Sequence, residues 1–368
     1  MIWLKNTLHK QHLISGLLAP YYWRFSFINA LNFLPFNINS IKLNTIKQTA
    51  NNNPTDALFK KSVAAEEDQQ CLLDFLLPCI PYLSLDEWQR LLDQGLVCID
   101  GNVAAGNPVL AHGQVVTYEV PGYKEGEVDC NWKLLWQNHE IAAVHKPGNL
   151  PVSRTTRNVY NTLVQILRRE SPWPDAHLLH RLDLETSGIV LIGQNNDVAK
   201  TYQPILKELM QKKVYLAIVH GEPVWRTLDY QCELNTLKQS DIRCQMHKVD
   251  EGSGKPSQTI FTVLKSSNGF SLIQAQLITG RKHQIRAHLS ELGHAIVGDK
   301  IYSNGGEFYL KRLDDALTQE DHDGLLTKHH LLHAYQVEIK LNNDETHIIK
   351  DENFSDEWQR FSKLQGLS

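Results

Sequence analysis

The chain has 368 residues, 42% hydrophobic and 21% charged, with 37 Lys and Arg against 41 Asp and Glu for a net charge of −4. That leaves room for two domains and a substantial core, while no apolar run approaches the roughly 18 residues that span a bilayer, which argues against a membrane protein. Six scattered cysteines with no C-x-x-C pair suit reduced thiols and exclude a disulfide framework or a zinc ribbon.

Before Asp56 there is no acidic residue, whereas Lys5, Lys10, Arg24, Lys42 and Lys47 are basic. Setting those five aside leaves 32 basic against 41 acidic residues, so the rest of the chain carries −9. Residues 1–65 read as a disordered extension or as translation assigned too far upstream; the next methionine, Met210, would leave a shorter product to start near Leu58 or Val63. An organelle transit peptide is the alternative for this leader, although it has one Arg and few Ser.

Residues 66–122 form a small α/β pattern. Leu72, Leu73, Leu76 and Leu77 share one helical face, and Leu85, Trp88, Leu91 and Leu92 share another, closed by Gln94-Gly95. Leu96 to Ile99 and Val115 to Val120 read as strands, with a turn at Asp100-Gly101. A polar linker over 123–131 leads to a larger domain over 132–350, opening with a hairpin from Leu134 to Val144. Its strands mix with helices without regular alternation, so the expected class is α+β, with a mixed, mainly antiparallel central sheet flanked by helices and loops. Residues 303–328 read as an insertion and 351–368 as a C-terminal tail.

Two stretches of the larger domain carry chemistry. His180-Arg181-Leu182-Asp183-Leu184-Glu185-Thr186-Ser187-Gly188, followed by apolar Ile189 to Ile192, sets a carboxylate on a polar turn at the mouth of a buried strand. Ser271 to Ile278 alternates like a strand, Thr279-Gly280 turns, and Ile285, Leu289 and Leu292 recur at helical spacing before Gly293. Arg286 therefore stands near a helix start beside a strand end. Taken singly, Asp183 could be a loop cap, Tyr215 a half-buried strand aromatic, and Arg281 and Arg286 a solvated face. The 17 histidines, grouped at His177/His180, His283/His288 and His329/His330/His333, raise a metal-dependent hydrolase as an alternative, but no His-Glu-x-x-His is present.

The run from His180 to Gly188 resembles the signature of the RluA-type pseudouridine synthases, which isomerise uridine in RNA. So, in the expected order, do Lys146-Pro147-Gly148 with Leu150-Pro151-Val152, Lys213 to Gly221, Lys255 to Leu264, Thr279 to Leu289 with Gly293 to Asp299, and Leu331 to Ala334. The resemblance covers about residues 132–340. It implies that Asp183 is the essential carboxylate and that Arg181 helps flip the base or fills its place. It implies further that Arg286 compensates the Asp183 charge, that Tyr215 stacks on the base and that Leu332 walls the pocket, with Arg281 and His283 also toward substrate. Glu185 is expected to be an ordinary loop or strand-edge residue. No metal or other cofactor is implied, since the reaction is not redox; the partner is RNA, ribosomal or transfer, with protein partners open and a cytoplasmic location expected.

Residues 66–122 resemble, more loosely, the alpha-L domain of ribosomal-protein type that precedes many such catalytic domains, which inclines the choice toward ribosomal RNA. Its second helix departs from that pattern, opening with Asp86 and Glu87 and offering one Arg, so the domain reads as degenerate. With an acidic chain, any RNA-binding basic surface must be local. The non-enzymatic alternative is an RNA-binding or ribosome-assembly factor with a dead site, which absence of Asp183 or Tyr215 would favour; both are present.

Overall fold

The structure is a computed structural model that describes residues 56–80, 83–123, 125–155, 158–341 and 345–368. Residues 1–55, on which the leader reading mostly falls, lie outside the described residues. The chain divides into a smaller unit that takes residues 60–78 and 85–118 and a larger one dominated by 119–368.

The smaller unit contains α1 (Leu72–Leu76) and α2 (Leu85–Asp93) with the strands β2 (Val97–Ile99), β3 (Asn102–Val103) and β4 (Val115–Pro121). β1 (Asp56–Ser62) joins them in a four-stranded sheet of order β1-β4-β2-β3. Leu72 and Leu76 are buried as the helical spacing predicts, and Trp88 meets Tyr118 edge-on at 5.0 Å. Leu77 follows the last turn of α1 and is exposed. Ordered structure begins ahead of the boundary expected at residue 65: β1 is paired and Val63 and Ala64 are buried. The short β1 run has few apolar residues, so no period separates it from the leader.

The larger unit runs β5 (Lys133–Gln137), β6 (Ile141–Lys146), α3 (Leu163–Glu170), β7 (His177–Leu178), β8 (Ser187–Gly193), α4 (Asn196–Tyr202) and α5 (Leu206–Leu209). β9 (Met210–His220), β10 (Thr227–Asn235), β11 (His247–Val249), β12 (Lys255–Ser267), β13 (Phe270–Leu277) and α6 (Gln284–Glu291) follow. It closes with α7 (Glu307–Asp314), α8 (Gln319–Leu325), β14 (Leu332–Lys340), β15 (Thr346–Lys350) and α9 (Asp356–Leu364). The sheet has eleven strands, ordered β11-β10-β12-β13-β9-β14-β8-β6-β5, with β15 on β14 and β7 on β8. Among the described residues the sheet's one parallel pairing is β8 with β14, so the sheet is mixed and mainly antiparallel, as expected.

Both faces of its centre are covered, which is why residues 141–144 of β6 and 189–192 of β8 are continuously apolar rather than alternating. Ala142, Val144, Val190 and Ile192 pack on one side with Leu163, Ile166 and Leu167 of α3. Ile141, Ala143, Ile189 and Leu191 pack on the other with Tyr202 and Leu209. Along β9, Ala217 and Val219 face Ile285 and Leu289 of α6, while Leu216 and Ile218 face Trp358, Phe361 and Leu367.

Residues 351–368 are therefore not a tail. α9, capped by Ser355 accepting from the Trp358 amide, buries its apolar stripe on the sheet, and Asp351 is fully buried against His145 at 2.6 Å. The expected linker at 123–131 is likewise tied down. Glu125 is buried and accepts from the amides of Val159, Tyr160 and Asn161, while Val128 and Cys130 pack on the α3 side of the core. The 303–328 segment supplies α7 and α8.

Candidate active site

The turn between β7 and β8 is anchored at both ends. Leu182 is buried in the α3-side core. At the other end Gly188 adopts φ +111°, and a β-carbon there would collide with the Ala334 backbone. Only glycine allows β8 to run this close to β14, with Ser187 opposite His333 and Gly188 opposite Ala334. Asp183 is thereby held at this parallel junction of the sheet.

From Asp183 to Ser187 each residue has its own partner. The Asp183 carboxylate accepts from Arg286 Nη1 at 2.8 Å, and the Leu184 carbonyl accepts from Lys146 Nζ at 3.0 Å. Glu185 accepts from Lys300 Nζ at 2.9 and 3.0 Å, from Arg312 Nη1 at 3.3 Å and from the His330 amide at 3.2 Å. Thr186 Oγ1 pairs with His330 Nε2 at 2.8 Å, and Ser187 Oγ with His333 Nδ1 at 2.8 Å.

Arg286 is buried, and its guanidinium divides between two carboxylates. Nε and Nη2 grip Asp299 in a fork at 2.7 and 2.9 Å, which leaves Nη1 for Asp183. This is the planar, multi-donor geometry that arginine supplies and lysine does not. Asp299 is fully buried and also accepts from the amides of Ile301 and Tyr302 at 3.0 and 3.1 Å. The Tyr302 ring lies 5.1 Å from the guanidinium.

The electrostatics follow from these contacts. Burial pushes the Asp183 carboxyl up, but Arg286 beside it, with His283, brings it below the ordinary carboxylate value. Burial also opposes ionisation of Asp299, yet Arg286 holds it far below its usual range, and the two carboxylates raise Arg286 in turn. Burial, and then the nearby Arg286, lowers His283 to about 4; its Nδ1 meets the Tyr302 hydroxyl at 3.2 Å and its Nε2 lies 3.8 Å from Asp183. Burial, and next Arg286, lowers His330 to about 4 as well. The Tyr215 phenol is raised by burial and by the Asp183 charge. Asp183 is thus an anion whose side chain is still 29% exposed, framed by neutral imidazoles and neutral phenols.

Of the residues singled out in the sequence, Asp183, Arg286 and His283 come together directly. Tyr215 and Leu332 pack in the α6-side core beside them. Arg181 is exposed at the rim next to Asp183. Arg281 is also exposed, and its Nε donates to the Pro256 carbonyl at 2.9 Å, away from this carboxylate cluster.

Sequence reasoning missed Asp299, although its Gly298-Asp299 run comes shortly after the stop of α6, and it misjudged Glu185. Far from being an ordinary loop residue, Glu185 is buried; burial raises its carboxyl, but Lys300 and the neighbouring imidazoles bring it down to about 2. It missed Lys146 too, whose ammonium is fully buried and spends its three N–H groups on the carbonyls of Pro147, Leu150 and Leu184. The histidine groupings are engaged individually: His180 accepts from the Leu191 amide, His288 meets Ser257 and Thr259, and His333 meets Ser187 and Asp351. Among the described residues no group of three or more His, Cys, Asp or Glu side chains is placed to hold a metal ion.

Residues 140–291, which hold most of this site but stop short of Asp299 and Lys300, match the sequence profile of a family described as RNA pseudouridylate synthase. An uncharacterized RNA pseudouridine synthase of Synechocystis is 28% identical over 72% of this chain and 88% of its own length. The yeast mitochondrial tRNA pseudouridine(32) synthase is 28% identical over 66% of this chain and 52% of its own length. Human pseudouridylate synthase RPUSD2 is 34% identical over 51% of this chain and 35% of its own length. Among solved structures, human RNA Pseudouridylate Synthase Domain Containing 1 superposes with a TM-score of 0.50 at 23% identity, over 67% of this chain and 89% of that one, a likeness of fold.

Proposed function

The chain belongs to the RluA-type family of RNA pseudouridylate synthases, and from that premise we propose that it isomerises uridine in a structured RNA, with Asp183 as the essential carboxylate. The observation that carries this reading is the Arg286 fork. A buried guanidinium fixed from behind by Asp299 keeps Asp183 ionised at a position that solvent, and hence a nucleotide, can reach.

The reaction breaks the bond between N1 of uracil and the ribose, turns the base, and rejoins the ribose to carbon-5, which gives up its proton while N1 takes one up. It needs no redox change. The base must leave its stack, and the exposed Arg181 enters the space it vacates. Tyr215 then stacks on the extruded uracil, a contact worth roughly 1–3 kcal/mol, with Leu332 as apolar backing. Asp183 meets the nucleotide as a preformed anion whose geometry is set before substrate arrives, so little reorganisation is needed at the reacting step. By the same resemblance His283, beside Asp183, is assigned to the substrate, and the exposed Arg281 to RNA beyond the carboxylate cluster.

Ribosomal RNA is the first candidate substrate, on the likeness of the smaller unit to the alpha-L domain; transfer RNA is the second, on the name of the yeast relative. Sequencing that maps pseudouridine in cells lacking this protein, with and without restored wild-type protein, tests the reading. One or more ribosomal or transfer RNA sites should disappear and return with the wild type. An unchanged map would refute the proposal.

A further inference from the structure

Glu185 and the 303–328 segment find no use in the isomerisation itself, yet they meet. Five charges, taken from Asp183 to Glu185, alternate in sign across the Asp183 turn, α6 and the loop that follows it. Asp183 pairs with Arg286, Arg286 with Asp299, the next residue Lys300 with Glu185, and Glu185 returns to Asp183 through one intervening residue. The Glu185 and Lys300 side chains are 11% and 7% exposed. Lys300 also donates to the Lys328 carbonyl, where the segment rejoins the sheet. The ring holds three acids and two bases, and the base that balances it comes from α7: Arg312 Nη1 reaches Glu185 Oε1 at 3.3 Å. α7 is itself braced on α8 by Lys311, which donates to Asp321 at 2.7 Å.

We infer that Glu185, Lys300 and Arg312 are positioning residues for Asp183, and that the 303–328 segment serves the reaction by supplying the charge that closes this ring. A buried carboxylate with three donors is expensive to assemble and poor as a stabiliser compared with apolar packing. What it does provide is a fixed vector: Glu185 ties the Asp183 turn to the loop that carries Asp299, so both ends of the Arg286 fork move together. Displacing a reacting group by about 1 Å costs on the order of a hundredfold in rate. The inference rests on the proposed isomerase reading.

The test compares Arg312→Met, Arg312→Lys, Lys300→Met and the double variant Glu185→Gln/Lys300→Met in the full chain. The substrate is total RNA, tritiated at uridine carbon-5, from cells lacking the protein, and kcat and KM are read well below each melting temperature. Arg312 is partly exposed, so its variants fold and decide the matter. Arg312→Met should lower kcat about fivefold with KM within about twofold, and Arg312→Lys should recover most of it. Lys300→Met, which strands the buried Glu185 charge, should lose at least about tenfold in kcat, and the double variant should regain part of that loss. Wild-type kcat in Arg312→Met, or an effect confined to KM, which would make Arg312 an RNA contact, would overturn the inference. Absence of tritium release by the wild type would instead overturn the isomerase reading itself.

Discussion

Replacing Arg286 with lysine keeps a positive charge and removes the fork. In the native site the guanidinium makes three charge-assisted bonds, two to Asp299 and one to Asp183, all between 2.7 and 2.9 Å. A lysine ammonium on a flexible stem cannot bridge the two carboxylates in that plane. At least two of the three bonds are lost, at roughly 1.5–3 kcal/mol each for hydrogen bonds to charged groups. Asp183 is part-exposed and recovers water in exchange, whereas Asp299 is fully buried and keeps only its two amide donors. The net stability loss is therefore about 2–4 kcal/mol, within what breaking a buried pair costs. For a unit of this size that corresponds to a fall in Tm of roughly 5–15 °C. Loss of the Asp183 contact should also lower kcat about a hundredfold, the order expected for a reacting group displaced by an ångström. Calorimetry and single-turnover pseudouridine formation measure the two effects. A variant within about threefold of wild-type kcat and with an unchanged Tm would show that the fork does not hold Asp183.

Four further outcomes follow from the contacts of the larger unit. Asp183 titrates below the ordinary carboxylate value and His283 and His330 near 4, so none of these three protonates between pH 5 and 8, whereas burial lowers the Lys146 ammonium behind the turn to about 7. On the acid side activity should hold and fall only as pH drops toward 4, while any fall above about 7 tracks loss of the Lys146 proton; a pH profile of kcat checks this, and an activity that falls as pH drops through 6.5 would contradict it. The depressed carboxylates Glu185 and Asp299 should contribute stability above their unfolded pKa, lost as pH falls through the folded values, for Glu185 about 2. Gly188→Ala should cost more than about 1–3 kcal/mol, because a side chain at φ +111° meets the Ala334 backbone, and should separate β8 from β14; thermal melting reads it. Phe361→Ala should cost about 3–5 kcal/mol by opening a cavity under α9, whereas a free tail would tolerate it.

Much of the larger unit was legible because its strands announce themselves. β6 and β8 carry continuous apolar runs, β13 alternates, and α6 repeats Ile285 and Leu289 before Gly293. Resemblance to a known family, not spacing, drew attention to Asp183, Arg286 and Tyr215; the structure brings Asp183 and Arg286 into contact and packs Tyr215 in the α6-side core. Glu185 was missed, because its role depends on Lys300 and Arg312, 115 and 127 residues away, and no local pattern encodes such a pairing. Lys146 was hidden for a related reason: a lysine at a strand end reads as solvated unless the carbonyls that surround it are known. The ends of the chain misled through composition. The stretch from Asp351 to Ser368 is polar enough to read as a tail, yet Trp358 and Phe361 lie three residues apart on one face of α9, a period visible in retrospect. β1 is too short and too polar to show any period at all.

The central claim is that an ionised Asp183, held by Arg286, carries out the isomerisation. Asp183→Asn retains the volume and an acceptor for Arg286 while removing the charge, so the direct measurement is pseudouridine formation by this variant on RNA from cells lacking the protein, alongside its affinity for that RNA. The expected result is no detectable product with RNA binding within about threefold of wild type, because the interaction removed is one used in the reacting step rather than in ground-state binding. Product formation at close to the wild-type rate would contradict it.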